Sequence, residues 1–91
     1  MIYRLPALSS ENEFTDLVFL AKYVDNLVSR TGNPDYAVVY EWNDTDDRGQ
    51  LIDLVDGSPP DAVLLRIAGA WVRRRCIATP RGDGDFDLAF E

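Results

Sequence analysis

Apolar residues recur along the first third of the chain with the three- and four-residue spacing of one helix face. The residues that follow this spacing are Phe14, Leu17, Val18, Ala21, Val24, Leu27 and Val28. Ser10, with Glu13 three residues later, forms a capping-box pattern at the start, and Gly32 is typical of a helix end. The pattern therefore predicts a helix over residues 10–31.

Three further large residues of this predicted helix, Phe19, Leu20 and Tyr23, lie outside that face. A helix that packs on one sheet needs an apolar stripe of only about 100°. We therefore expect these side chains to be covered by a second helix or by another molecule. They are a candidate contact in a homodimer or in a larger assembly.

Strand patterns occur on both sides of a polar segment and near the two ends of the sequence. Residues 36–42 are rich in Tyr, Val and Trp and are bounded by Asn, Pro and Asp, which predicts a strand. The polar, glycine-containing segment 43–49 predicts a hairpin into a strand over residues 50–55. Apolar alternation predicts a closing strand over residues 86–90, and residues 2–5 are expected to form a short opening strand.

A second helix-start pattern follows residue 57, with Ser58 as the cap and Pro59 at the first helical position. It predicts a helix over residues 59–68, which could stop at Gly69 or continue through the arginines that follow. We favour the stop and a strand over residues 70–78, because β-branched and aromatic residues occur there. The closing strand also requires a neighbour.

The predicted elements define an α+β fold in one domain of 91 residues. Two helices are expected to pack on one face of a mostly antiparallel sheet of four or five strands. The order is β-α-β-β-α-β, with one more strand at the end, and its first six elements are similar to the ferredoxin-like order. If residues 59–76 formed one helix, the fold would still be α+β, with a smaller sheet.

The residue counts exclude several kinds of catalytic and metal site. The chain has no histidine and one cysteine, so a Ser-His-Asp triad, a Cys-His pair and a histidine-based zinc site are excluded. The acids that begin at Asp44 resemble a calcium loop, but Arg48 and Val55 occupy positions where such a loop needs oxygen ligands. We expect no catalytic residue, metal or cofactor. The residue types that are present still allow a site built from carboxylates alone.

Charge is unevenly distributed along the sequence. Sixteen acids and nine bases give a net charge of −7, which repels nucleic acids and anionic lipid. Residues 41–61 contain seven acids and one arginine, whereas residues 62–81 contain five arginines and no acid. Either the arginines pair with acids on neighbouring strands, or the acidic segment forms an exposed patch that binds a basic partner.

The second alternative supplies the candidate binding residues. The acidic patch would consist of Glu41, Asp44, Asp46, Asp47, Asp53 and Asp56. Tyr40 or Trp42 would be the aromatic anchor, since aromatic residues are enriched among interface hot spots. The alternation of residues 36–42 leaves open whether Tyr40 and Trp42 face the core or the solvent.

These observations predict a small, non-catalytic protein-interaction domain that binds a larger basic or nucleic-acid-handling protein. In composition the chain is similar to immunity proteins and to phage-encoded inhibitors of host defence, which are often small, acidic single domains. That similarity implies an inhibitory role. The alternatives are a structural homodimer joined through the predicted helix 10–31, and a small carboxylate-based enzyme or binder of a cationic ligand. We expect a cytoplasmic protein that contacts neither nucleic acid nor membrane.

Overall fold

A computed structural model describes residues 1–8, 13–55 and 57–91. In the described part of the chain, one α-helix packs against a six-stranded antiparallel sheet, so the fold is α+β. The elements are β1 (Ile2–Arg4), β2 (Glu13–Phe14), α1 (Leu17–Thr31), β3 (Val38–Trp42), β4 (Ala62–Ile67), β5 (Ala70–Pro80) and β6 (Phe86–Phe90). The strands lie in the order β2-β1-β3-β4-β5-β6, and a 3₁₀ turn (Pro34–Ala37) connects α1 to β3.

The helix starts later than predicted. The carboxylate of Asp16 caps α1 by accepting hydrogen bonds from the N–H groups of Val18 and Phe19, at 2.9 and 3.4 Å. Glu13 belongs to β2, so the prediction of one helix from residue 10 is wrong, and Ser10 itself lies outside the described residues. The predicted end is confirmed, since Gly32 takes the left-handed conformation at φ 68°.

The buried face of α1 is rotated from the predicted one. Leu20 is fully buried, with Val24 and Leu27 on the same face, so placing Leu20 outside the core was wrong. Val18, predicted to face the core, lies about 160° around the helix from Leu20 and is exposed. Phe14, which the helical spacing places on the predicted face, belongs to β2 and not to the helix.

The predicted second helix is instead strand β4, which is the largest correction to the fold. The central position of β4 between β3 and β5 buries Ala62, Val63 and Leu64 almost completely. A short run of apolar residues buried on both faces has the same appearance in a sequence as a buried helix segment. Ala68 and Gly69, both with positive φ, then form the tight turn into β5.

The other strand predictions are confirmed, except for the one over residues 50–55. The strands predicted over residues 70–78 and 86–90 are confirmed, and those over 2–5 and 36–42 form over slightly shorter spans. Residues 50–55 form no strand, apart from a single bridge between Thr45 and Leu51. With one helix and six strands in the described residues, the ferredoxin-like order is wrong.

The register gives the sheet two distinct faces. The helix face carries Tyr3, Val39 and Leu64, which pack with Leu20 and Val24 of α1 as the core. The far face carries Arg4, Tyr40, Trp42, Val63 and Cys76. The core side of β3 is therefore the one with Val39, and Tyr40 and Trp42 point away from the helix.

The long strand β5 brings β6 over the far face. Its first half pairs with β4 and its second half with β6. The ring of Phe90 in β6 lies 5.8 Å from the ring of Tyr40, centroid to centroid, although two strands separate β6 from β3. No helix in the described residues is long and apolar enough to span a membrane.

Candidate functional site

A cleft of about 300 Å³ opens on the far face, between strands β1 and β3 and the segment that follows β3. We call this segment, residues 43–61, the β3–β4 loop. The apolar lining of the cleft includes Ile2 and Trp42 from the strands and Leu51, Ile52 and Val55 from the loop. The charged lining groups are Arg4, Glu13, Asp44 and Asp53. The cleft volume is at the lower end of the range for ligand pockets, about 300–1,000 Å³.

Hydrogen bonds attach both ends of the β3–β4 loop to the sheet. At its base, the N–H of Asn43 donates to the carboxylate of Asp61 at 2.7 Å, and the N–H of Asp61 donates to the carbonyl of Glu41 in β3 at 2.8 Å. Near its end, the Trp42 indole donates to the Ser58 carbonyl at 2.9 Å. Within the loop, the N–H of Ile52 donates to the carbonyl of Asp44 at 2.7 Å, and both residues line the cleft.

The guanidinium of Arg4 occupies one side of the cleft. It forms an ion pair with Glu13 and lies over the ring of Trp42, 5.1 Å from the ring centroid. Its Nε atom is buried and has no hydrogen-bond partner in the described residues. The charge of Arg4 is thus matched by Glu13, while its stacking stabilises the orientation of the indole.

Asp44 is engaged within the molecule as well. Its carboxylate accepts a hydrogen bond from the N-terminal ammonium of Met1. This hydrogen bond, more than any other influence, lowers the pKa of the Asp44 carboxyl below its ordinary value. Asp44 therefore holds the N-terminus beside the cleft.

The six acids predicted to form one exposed patch do not have one role. Glu41 is only 4 % exposed and pairs with Arg73 at 3.1 Å, so it does not lie in an exposed patch as predicted. The carboxylate of Asp46 accepts hydrogen bonds from two N–H groups of its own loop, at 2.8 and 2.9 Å. Asp47 and Asp53 are exposed, and Asp56 lies outside the described residues.

Glu41 and Arg73 correspond to the other alternative that the sequence left open, in which the arginines pair with acids inside the sheet. Both project from the helix face, on β3 and on β5, with β4 between them. The pair satisfies a carboxylate that the sheet has removed from water. Arg66 makes a second such contact, with Asp25 of α1 at 3.2 Å.

The two candidate aromatic anchors lie side by side on the far face. The rings of Tyr40 and Trp42 meet edge to face at 6.2 Å, and both side chains are half-buried. Phe90 covers part of Tyr40, and Arg4 covers part of Trp42. Their role as an anchor stays a prediction.

Sequence reasoning missed the most exposed apolar residues of the molecule. Leu51 is 81 % exposed and Val55 is 76 % exposed, and Ile52 beside them is also exposed. The sequence pattern predicts a strand over these residues, in which one face would be buried. The available signal was the surrounding composition, because the aspartates and glycines on both sides favour a loop.

A second apolar surface lies on α1, which we call the helix patch and define as Val18, Phe19 and Tyr23. Phe19 is 61 % exposed, and all three side chains are exposed. The ring of Phe14, from β2, lies 6.3 Å from Phe19 and 5.5 Å from Tyr23. The rings form one cluster on the outer side of the helix.

The remaining reactive and acidic groups lie outside the cleft. Burial, with a smaller contribution from Asp61, raises the pKa of the Cys76 thiol on the far face. Asp83, Asp85 and Asp87 all lie within 4.0 Å of Arg81. Within residues 1–8, 13–55 and 57–91, no group of three or more acidic or cysteine side chains is arranged to hold a metal ion.

No protein-family model matches this chain, and no curated protein or solved structure is significantly similar to it.

Proposed function

We propose that this protein is a small, non-catalytic interaction domain that binds a basic protein partner through the β3–β4 loop. The observation that carries this proposal is the exposure of Leu51, Ile52 and Val55 beside Asp47 and Asp53. Apolar side chains in a loop with fixed ends supply area that a partner can bury. Exposed carboxylates next to them select a partner of positive charge.

The charge of the whole molecule supports a basic partner. A net charge of −7 attracts positively charged surfaces before contact and accelerates association at low salt. Acids whose charges are matched inside the fold, such as Glu41 and Asp44, do not add to specific recognition. Asp47 and Asp53 are then the acids that contact the partner.

We propose more specifically that this protein inhibits the partner that it binds. Proteins that handle nucleic acid carry basic surfaces for phosphate groups. A negatively charged loop with an apolar centre would cover such a surface and compete with the nucleic acid. The partner is therefore expected to lose nucleic-acid binding when the complex forms.

The test measures complex formation with a panel of basic proteins that bind nucleic acid, at low and at high salt. We expect Leu51→Ser with Val55→Ser to weaken the complex about tenfold or more, because both side chains lose buried area. Asp47→Asn with Asp53→Asn is expected to weaken it mainly at low salt.

The matched control is Asp25→Asn with Asp35→Asn, which removes the same charge from the helix side of the molecule. It should leave affinity within about threefold, since these acids lie away from the loop. Affinity that does not change with salt, or that survives both loop variants, would contradict the proposed function.

The helix patch supports a second candidate function, a structural homodimer. Val18, Phe19 and Tyr23 are all exposed and together form an apolar surface on α1. A contiguous exposed apolar surface is typical of a contact with another molecule. We expect sedimentation to detect a dimer that Phe19→Glu dissociates, because the carboxylate would be buried without a partner. Val55→Glu, the same kind of change on the loop, is the control and should leave the dimer intact. A wild-type protein that stays monomeric as its concentration is raised would rule out this candidate.

A further inference from the structure

Strand β6 forms one edge of the sheet, and its backbone has a defined inner and outer side. The N–H of Glu91 donates to the carbonyl of Arg75 at 2.9 Å, and the N–H of Arg81 donates to the carbonyl of Asp85 at 3.0 Å. In an antiparallel ladder, alternate residues bond to the same neighbour. Odd-numbered residues of β6 therefore bond inward to β5, and the backbone groups of Phe86, Leu88 and Phe90 point outward.

Two of these residues offer a free hydrogen-bonding edge. The N–H of Phe86 is taken by the carboxylate of Asp85, at 2.8 Å. Leu88 and Phe90 present an N–H and a carbonyl each, and no strand of the described chain lies beyond them. Such an edge pairs readily with an added extended segment.

The large apolar side chains of this edge and its acidic side chain lie on opposite faces of the sheet. Phe86, Leu88 and Phe90 project from the far face, and Leu88 and Phe90 are more than one-third exposed. Asp87 projects from the helix face. Residues 81–91 contain four acids and one base, Arg81, which lies within 4.0 Å of three of the acids. The acids outnumber this base, so the edge is apolar on one side and negative on the other.

We propose that β6 binds an extended segment of a partner protein in which basic residues alternate with aliphatic ones. In an added antiparallel strand, the aliphatic residues would lie opposite Leu88 and Phe90 and bond to their backbone groups, and the basic residues would lie beside Asp87. Pairs of opposite charge stabilise neighbouring strands, whereas like charges destabilise them. This surface is separate from the β3–β4 loop and does not depend on its function.

A second copy of this chain fits the edge less well than a basic segment does. Antiparallel pairing of two β6 strands about Leu88 would place Asp85 opposite Glu91 of the other copy. That arrangement brings carboxylates of the same sign together at both ends of the pairing. The charge of the edge therefore favours a basic segment over self-pairing.

The test uses a synthetic peptide of alternating lysine and valine, seven residues long, titrated by NMR against the full chain. In the proposed pairing, the valine N–H groups bond to β6 and the lysine N–H groups point away. We expect N-methylation of the valines to weaken binding about tenfold or more. N-methylation of the lysines, the matched control, should change it less than about threefold.

A protein variant tests the same contact from the other side. Leu88→Pro removes an outward N–H without removing a bond to β5, and edge strands tolerate proline in this orientation. We expect it to reduce peptide affinity about tenfold, whereas Leu88→Ala, which keeps the N–H, should reduce it less than about threefold. If Leu88→Pro unfolds the protein, the two methylated peptides still decide the outcome.

Three results would overturn this inference. The first is equal binding of both methylated peptides, and the second is equal binding of a glutamate–valine peptide. The third is self-association that Leu88→Pro abolishes, because the edge would then be occupied by a second copy. If Asp47→Asn with Asp53→Asn weakens peptide binding while Leu88→Pro does not, the peptide binds the loop. The inference on β6 then fails, while the proposed function of the loop stands.

Discussion

Leu20→Ala is expected to lower the free energy of unfolding by about 3 kcal/mol, within the range of about 2–5 kcal/mol for such truncations. Leu20 is fully buried where α1 meets the sheet, in contact with the cluster that contains Tyr3, Val39 and Leu64. The substitution removes buried apolar surface and leaves a cavity that the helix and sheet cannot close completely. Urea denaturation followed by circular dichroism measures the change.

Phe19→Ala is the matched control for this prediction. Phe19 precedes Leu20 on the same helix and loses a larger side chain, but its ring is 61 % exposed. We expect it to change the free energy of unfolding by less than about 1 kcal/mol. Equal effects of the two substitutions, measured where the protein is monomeric, would contradict the orientation of α1.

Arg73→Ala is expected to lower the free energy of unfolding by about 2 kcal/mol. Glu41 is almost completely buried and depends on Arg73 for its counter-charge, so truncation leaves a buried carboxylate without it. The effect is smaller than the 3–5 kcal/mol for a fully buried pair, because the Arg73 side chain is half exposed and water partly replaces it. Chemical denaturation at neutral pH measures the change.

A double-mutant cycle separates the charge interaction from other effects of the truncation. In a Glu41→Gln background, Arg73→Ala should have a much smaller effect, because the charge that it neutralises is gone. Arg74→Ala is the control, since Arg74 is exposed on the far face of the same strand. If Arg73→Ala has the same effect with Glu41 and with Gln at that position, the ion pair does not stabilise the fold.

Two of the acids, Glu41 and Asp44, form ion pairs within the molecule. Both belong to the most acidic stretch of the sequence, yet Glu41 neutralises an arginine and Asp44 holds the N-terminus. The acids that we propose for partner recognition lie in the β3–β4 loop and along β6. Both surfaces place acids beside exposed aliphatic or aromatic side chains.

Local patterns predicted those elements that are marked by the residue types or the side-chain period of a few neighbouring residues. The left-handed Gly32 ends α1, and the alternation in residues 86–90 marks β6. The β-branched and aromatic residues after Gly69 form β5 as predicted. In each case the backbone conformation or the side-chain period acts within a few residues, so the sequence carries the information directly.

The start of α1 and the nature of β4 required the tertiary structure. Residues 13–14 carry a helical spacing, but they pair with β1, whose edge has no other neighbour on that side among the described residues. The apolar residues 62–65 are compatible with a helix, but they fill the gap between β3 and β5. Hydrogen bonding to distant strands exceeds the small differences in local preference.

For the candidate site, the sequence determined which residue types are present and how the acids are distributed along the chain. It determined the absence of histidine and the concentration of acids in residues 41–61. Only the tertiary structure decided that Glu41 is buried, that Leu20 faces the core, and that Leu51 and Val55 face the solvent. Burial depends on which distant segments cover a side chain, and a position in the sequence does not encode that by itself.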